Sequence, residues 1–223
     1  MKNFLLITIL SLLNLGFTFG QATDFTTNDC SGNPHHLFSE LNSGDVIVIS
    51  WVMPCGPCAT HSLPAYNAVQ SFVTSHPGKV HFYMADDYAN TSCSSLSSWG
   101  NSNNMPNSTF FSTPDVNMNG YGVAGMPKVV VLGGTNHTIY FNQNDSHINF
   151  QGVKTAIDSA LANYVVQTTW DCLNGDCVDP GDGSGMYADS LTCATNCITN
   201  DIKNITRMKL SPSSPFINCM IKG

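Results

Sequence analysis

The feature that most constrains the fold is a run of β-branched residues at 46–51 that ends in Trp51. A strand with one wet face alternates apolar and polar residues, so this nearly unbroken run predicts a strand buried on both faces of its sheet. Helices must therefore cover that sheet on both sides. The chain supplies them, because apolar residues recur near helical spacing over 59–75 and 148–166.

Three further strands complete the predicted order. They are expected at 80–85, 128–132 and 137–141. The last two are joined by a Gly-rich hairpin turn. Residues 86–120 are rich in Ser and Asn with little apolar periodicity, although Leu96 and Trp99 are spaced to anchor a short helix. The order strand, helix, strand, irregular segment, hairpin and helix predicts an α/β fold with a mixed sheet flanked by helices.

Composition and charge indicate the compartment in which the protein works and limit the partners that it can bind. The 223 residues carry 8 Lys and Arg against 15 Asp and Glu, a net charge of −7 that argues against nucleic acid and anionic lipid as partners. Nine cysteines indicate an oxidising compartment. Lys2 precedes a short apolar run at 4–13, which predicts a secretory signal peptide over residues 1–20. No later segment is apolar enough to span a membrane, so we expect an exported protein without membrane insertion.

The motif Cys55-Gly56-Pro57-Cys58 stands directly after the predicted buried strand and directly before the first helix. The free N–H groups and the dipole of a helix N-terminus stabilise a thiolate there. Pro57 falls in the first turn, which tolerates its missing N–H. Two thiols in one turn can alternate between dithiol and disulfide. We expect Cys55, at the exposed end, to attack a substrate disulfide and the more buried Cys58 to resolve the mixed disulfide.

A second motif, Gly125-Met126-Pro127, stands immediately before the strand at 128–132. Together with the strand, the Cys-Gly-Pro-Cys motif and the helix, it resembles the thioredoxin superfamily over about residues 24–165. The resemblance is closest to the secreted TlpA/ResA-like (AhpC/TSA-like) branch, whose Tyr-Gly-Val-x-Gly-x-Pro segment is similar to residues 121–127. It implies a thioredoxin-like fold, a cis Met126–Pro127 bond against the cysteines, and a Met126 backbone offered to the substrate chain. The substrate-binding residues implied are Trp51, Gly56, Pro57, Met126 and Pro127.

The sequence departs from the family pattern at a position that serves proton transfer. Thioredoxin itself has a buried Asp six residues before the first Cys, where this chain has Ile49. Another group must therefore accept the proton of Cys58. Three side chains are candidates for this role: His61, Asp86 and Asp87. The helix proline, Pro64, falls one residue later than in the family, which predicts a local irregularity. The chain lacks the Pro-x-x-x-Thr-x-x-Cys loop of peroxiredoxins, which disfavours peroxidase activity.

The composition changes sharply at Trp170, and the short segment after it is rich in Gly, Asp and Cys. Such a segment cannot bury a core of its own, so its cysteines are expected to hold it together as two disulfides. These cysteines are Cys172, Cys177, Cys193 and Cys197. The less favoured alternatives are a zinc site of the same four residues and a calcium site at Asp176, Asp179 and Asp182. The segment resembles a Cys-rich module of secreted Bacteroidetes-type proteins.

These observations divide the chain into four parts. The parts are a signal peptide (1–20), a thioredoxin-like domain (21–168), a Cys-rich disulfide module (169–198) and a tail (199–223). Residues 205–212 are similar to the start of a type-nine-secretion sorting domain, which implies a truncated sorting segment or an accidental likeness. Of the remaining cysteines, Cys30 and Cys93 are candidates for a structural disulfide, and Cys219 is expected to be unpaired or intermolecular.

Together the patterns predict an exported thiol–disulfide oxidoreductase, located in the periplasm, on the cell surface or outside the cell. The direction of electron flow is left open. The expected partners are protein or small-molecule thiols and disulfides, and a membrane or periplasmic electron donor. We expect no cofactor and no metal, because the seven His residues show no ligand spacing. The alternative function is a non-catalytic secreted binding protein that keeps the scaffold and a structural Cys55–Cys58 disulfide.

Overall fold

The computed structural model describes residues 20–164, 168–181 and 183–197. The chain forms two compact units, of which the first ends at Tyr164 and the second begins at Val165. The expected signal peptide (except Gly20), the tail with Cys219, and Asp182 lie outside the described residues. Within the described ranges, no helix combines the length and the apolarity needed to cross a membrane.

The described part of the first unit contains seven strands. They are β1 (Thr26–Asn28), β2 (Pro34–His36), β3 (Val46–Val52), β4 (Val80–Asp86), β5 (Thr109–Phe111), β6 (Lys128–Gly133) and β7 (Thr138–Asn144). β1 and β2 pair as a small hairpin, and the other five form one sheet in the order β5-β4-β3-β6-β7. β3 runs parallel to β4 and antiparallel to β6. The carboxyl ends of β3 and β4 therefore lie at the same end of the sheet as the amino end of β6.

Helices cover both faces of this sheet. They are α1 (Leu37–Asn42), α2 (Gly56–Gln70), α3 (Cys93–Ser102) and α4 (Phe150–Ala162), with 3₁₀ turns at Asn119–Tyr121 and Asp145–His147. All seven residues of β3 are buried. Alternate residues of β3 enter two core clusters, one formed with α2 and α4 and the other with α1 and the N-terminal segment. The predicted α/β fold, with a central strand buried on both faces, is confirmed.

The clearest differences from the sequence expectation concern the helix after the cysteine motif and the Ser- and Asn-rich segment. α2 ends at Gln70 rather than near residue 75. Beyond it the backbone N–H groups of Phe72 and Val73 donate to the carbonyls three residues back, so the last turn tightens and the regular helix stops. α2 also continues through Pro64 without interruption. In the Ser- and Asn-rich segment, the short helix expected around Leu96 is α3, whereas β5 was not predicted.

The second unit contains a hairpin of β8 (Asp171–Leu173) and β9 (Asp176–Val178), followed by a helical stretch at 190–197. Asn174 and Gly175 form its turn with φ values of 55° and 89°, as a type I′ turn requires. The expected pairing of the four cysteines into disulfides is confirmed, and the bonds are Cys172–Cys197 and Cys177–Cys193. Their sulfurs are therefore not available as zinc ligands.

Candidate active site

The Cys-Gly-Pro-Cys motif lies where β3 ends and α2 begins. Cys55 is the N-cap residue of α2, and its carbonyl accepts a hydrogen bond from the Ala59 N–H at 3.2 Å. Pro57 occupies the first turn, where no intrahelical donor is needed. Gly56 and Pro57 are exposed next to Cys55. The strand fixes where the motif begins, and the helix presents its first turn to solvent at the end of the sheet.

The two cysteines are free thiols that differ in burial. Cys55 is half-buried, whereas Cys58 is only 1% exposed. Burial is the main reason that the pKa of Cys58 rises to about 12, and a hydrogen bond to Cys55 adds to it, while the Met53 backbone N–H acts in the opposite direction. Cys58 therefore stays protonated at neutral pH. The accessible sulfur is that of Cys55, with a protonated thiol directly behind it.

The Met126–Pro127 peptide bond is cis. Because Trp51 pairs with Lys128, the antiparallel register brings Pro127 opposite Val52, three residues before Cys55. Met126 is half-buried and, like Cys55, packs against the core cluster that contains Cys58. The structure thus brings Met126 and Pro127 to the end of the sheet that carries both cysteines.

Lys128 holds the segment that precedes this proline. Its ammonium group is buried with the residue only 2% exposed, and it donates to the carbonyl of Val123 and to Asn144 Oδ1, both at 3.0 Å. Burial lowers the pKa of Lys128. Gly125 lies against Asn144 so closely that a Cβ atom there would be 2.5 Å from Asn144 Nδ2. Gly125 and Lys128, which lie on either side of Pro127, both contact Asn144 and so fix this loop to the end of β7.

Trp51 does not have the substrate-binding position expected from the family resemblance. It is only 1% exposed, its indole N–H donates to the Val116 carbonyl at 2.9 Å, and its ring packs against Tyr121 at 5.1 Å. A side chain with this exposure cannot contact a substrate. Trp51 instead supports the loop at residues 116–121 from within the core.

The three candidate proton acceptors have different positions. Asp86 is buried, and its carboxylate accepts hydrogen bonds from the Asn90 N–H and from both the N–H and the hydroxyl of Thr91. Asp86 therefore organises the turn after β4. The Asp87 backbone N–H donates to the Val52 carbonyl at 3.0 Å, and burial together with the Asp86 charge raises the pKa of Asp87. His61 lies half-buried on α2.

Asp145, which the sequence analysis did not single out, is an acidic residue whose charge acts on Cys58. Its charge raises the pKa of Cys58, after burial and the effects of Cys55. The Asp145 N–H donates to the Pro127 carbonyl at 2.9 Å, and Asp145 has a φ of 48°. The 3₁₀ turn that begins at Asp145 contacts α2. No local pattern marks this residue, because only the packing of that turn against α2 brings it to the cysteines.

A disulfide between Cys30 and Cys93 lies in the same unit. This pairing was the candidate named from the sequence. It joins the turn after β1 to the first residue of α3, and the Cys30 N–H donates to the Phe110 carbonyl at 2.8 Å. The disulfide therefore fixes the N-terminal hairpin to the segment that follows the Asp86 turn.

Comparison with protein-family models finds no match for this sequence, and comparison with curated proteins finds none either. Solved structures do match. One is a candidate protein disulfide isomerase from Bacteroides thetaiotaomicron, with a TM-score of 0.50 and 14% identity over 67% of this chain and 92% of that one. Others are a thiol:disulfide interchange protein from a Bacteroides species (TM-score 0.49, 13% identity, 66% and 91%) and a candidate interchange protein DsbE from Chlorobium tepidum (0.49, 19%, 64% and 96%).

At these identities the likeness bears on the fold alone. The five-stranded mixed sheet with its flanking helices is thioredoxin-like. The matches extend over about two thirds of this chain, which corresponds in length to the first unit.

Proposed function

We propose that this chain is a thiol–disulfide oxidoreductase that works through Cys55 and Cys58. The observation that carries the proposal is the asymmetry of the pair, in which a half-buried Cys55 begins α2 and a buried, protonated Cys58 lies behind it. An attacking thiol needs access to its substrate, and a resolving thiol needs only to reach the first sulfur. The name of one matched solved structure, a candidate protein disulfide isomerase, supports the same chemistry.

The reaction has two balanced steps when the chain reduces a substrate disulfide. The Cys55 thiolate attacks one substrate sulfur, which forms the Cys55–substrate disulfide and releases the other substrate sulfur as a thiolate that takes up a proton. Cys58 then loses its proton and attacks the Cys55 sulfur. This second step releases the remaining substrate thiolate and leaves the Cys55–Cys58 disulfide. Two electrons pass to the substrate, and the reverse sequence oxidises a dithiol.

The pKa of Cys58 falls between these two steps. In the free dithiol, the hydrogen bond and the charge of Cys55 both raise the pKa of Cys58. Once Cys55 is part of a mixed disulfide, its sulfur no longer carries a negative charge, so that contribution is lost. Burial and the Asp145 charge remain. Cys58 therefore becomes easier to deprotonate at the step that needs its thiolate.

The backbone of Met126 is proposed to dock the substrate chain, as the family resemblance implies. Within the described residues no hydrogen bond engages its N–H or its carbonyl, although the neighbouring Pro127 carbonyl accepts from Asp145. An extended substrate segment can pair with this free backbone edge beside Cys55.

Export to an oxidising compartment is part of the proposal. It is supported by the N-terminal sequence pattern and by three disulfides among the described residues, since such bonds are rare in the cytosol. The non-catalytic alternative requires a permanent Cys55–Cys58 disulfide, and such a chain would show no reductase rate in the assay below.

An insulin-reduction assay with dithiothreitol as electron source tests the proposed function. The purified chain should accelerate precipitation of the insulin B chain, and Cys55→Ser should reduce the rate to that of dithiothreitol alone. Asp158→Asn, a substitution on the exposed face of α4, serves as the matched control and should keep the wild-type rate. Wild-type protein that does not exceed the dithiothreitol rate would contradict the proposal.

A further inference from the structure

A cleft of about 610 Å³ lies beside Met126, between the turn after β4 and the segments at 114–119 and 124–126. Asp87, Tyr88, Met118 and Met126 are among its lining residues. The Asp87 N–H is bonded to the Val52 carbonyl, so this cleft adjoins the end of β3 from which the chain continues to Cys55. We call this cleft the acidic groove.

The charge of the groove is not compensated from within the described residues. The Asp87 carboxylate has no hydrogen-bond or ion-pair partner among them, and Asp86 lies next to it in the chain. None of the three described lysines pairs with Asp87. Lys79 pairs with Asp45, Lys154 pairs with Asp158, and Lys128 is buried against Val123 and Asn144. A cationic group that enters the groove therefore meets an unpaired carboxylate.

The remaining lining of the groove agrees with a peptide rather than a small thiol. Tyr88 is 72% exposed, and an exposed phenol ring offers its face to a Lys or Arg side chain. Met126 offers free backbone groups at the edge of the groove, where an extended chain would pass. A small anionic thiol would instead be repelled by Asp87 and by the net charge of −7.

We propose that the acidic groove selects disulfide-bearing polypeptide segments that carry a Lys or Arg next to the reacting cysteine. This inference rests on the proposed function, because it names the substrate class of the same dithiol. The groove supplies charge complementarity through Asp87, a ring face through Tyr88, and a backbone edge through Met126.

Two synthetic peptides test the proposal with the full chain. Each carries one cysteine as a mixed disulfide with thionitrobenzoate, and the two differ only in a Lys or a Glu beside that cysteine. The Cys55 thiolate attacks the peptide sulfur, which forms the Cys55–peptide disulfide and releases thionitrobenzoate, whose colour gives the rate. Cys58 then attacks the Cys55 sulfur and releases the peptide thiol. Each rate is divided by the rate of the same peptide with free dithiothreitol, which removes differences in intrinsic reactivity.

At low ionic strength the Lys peptide should react about tenfold faster than the Glu peptide, as expected for opposite charges roughly 6 Å from one carboxylate in water. The ratio should decrease as salt is added. Asp87→Asn should reduce the ratio to near one, because this carboxylate supplies the whole of the expected difference. Asp158→Asn removes the same charge outside the groove and should keep the wild-type ratio.

The outcomes separate this inference from the proposed function. If both peptides react with the wild-type chain at equal normalised rates, the selectivity is refuted while the dithiol chemistry stands. A ratio that is the same in wild type and Asp87→Asn assigns it to the net charge and refutes the groove. If neither peptide releases thionitrobenzoate, the proposed function itself fails.

Discussion

Removal of the Cys30–Cys93 disulfide should cost the first unit a large part of its stability. The bond joins residues 63 apart in the sequence. In the chain-entropy description, a crosslink over a loop of this length destabilises the unfolded state by about 4 kcal/mol at room temperature. Small domains are stable by roughly 5–15 kcal/mol, so this single bond accounts for a substantial share. The native contact between the Cys30 N–H and the Phe110 carbonyl does not need the disulfide, which is why the loss should be mainly entropic.

The assay is equilibrium urea denaturation of Cys30→Ala/Cys93→Ala, followed by circular dichroism. Both proteins compared should also carry Cys55→Ala and Cys58→Ala, so that one disulfide is the only redox difference. A loss of about 4 kcal/mol moves the midpoint by roughly 2 M urea. The matched control, Cys172→Ala/Cys197→Ala, changes a disulfide of the second unit and should leave the main transition in place. A loss below about 1 kcal/mol would refute the reasoning.

Three further predictions concern the dithiol and the module. Alkylation near neutral pH, followed by mass mapping, should modify Cys55 well before Cys58, because burial raises the pKa of Cys58 to about 12; equal labelling would contradict this. Asp145→Asn should lower the pKa of Cys58, because the negative charge of Asp145 raises it. The pH midpoint of mixed-disulfide resolution should then fall by less than about one pH unit, the size expected for an exposed charge. A rise of this midpoint would contradict the assignment. A chain ending near residue 167 should keep its main thermal transition and dithiol reactivity, and loss of either would show that the module completes the core.

Much of the fold follows from local sequence patterns. The run at 46–51 predicts a strand buried on both faces because every position is apolar or small, and the structure buries all seven residues of β3. The position of the cysteines between this strand and α2 was also predictable, since both elements are long enough to give a clear pattern. By contrast, β5 has three residues, and its pairing with β4 depends on tertiary contacts that no local pattern records.

The sequence of the second unit contains a hairpin signal. Asn174-Gly175 between two short runs that each contain Cys and an aliphatic residue is typical of a two-residue hairpin turn, and the structure has positive φ at both residues. Composition alone predicted the disulfides there. It gave no pairing, because four cysteines allow three arrangements.

Only part of the site could be predicted from the sequence. The Met126–Pro127 motif was found from its family resemblance, but the family pattern placed Trp51 at the substrate surface, whereas its indole N–H is used inside the core. Asp145 acts on Cys58 through the packing of a 3₁₀ turn on α2, so its role follows from tertiary structure. Lys128 carried a readable signal, since a lysine at the first position of an otherwise apolar strand needs buried hydrogen-bond acceptors.

The central claim is that Cys55 attacks a substrate disulfide and Cys58 resolves the product. Trapping the intermediate tests it most directly. The Cys58→Ser variant should be incubated with insulin, and the products separated without reductant and mapped by mass spectrometry. The account predicts a stable adduct joined through Cys55 in the variant and little adduct in the wild type, because Cys58 releases it. Absence of an adduct, or an adduct on another cysteine, would contradict the account.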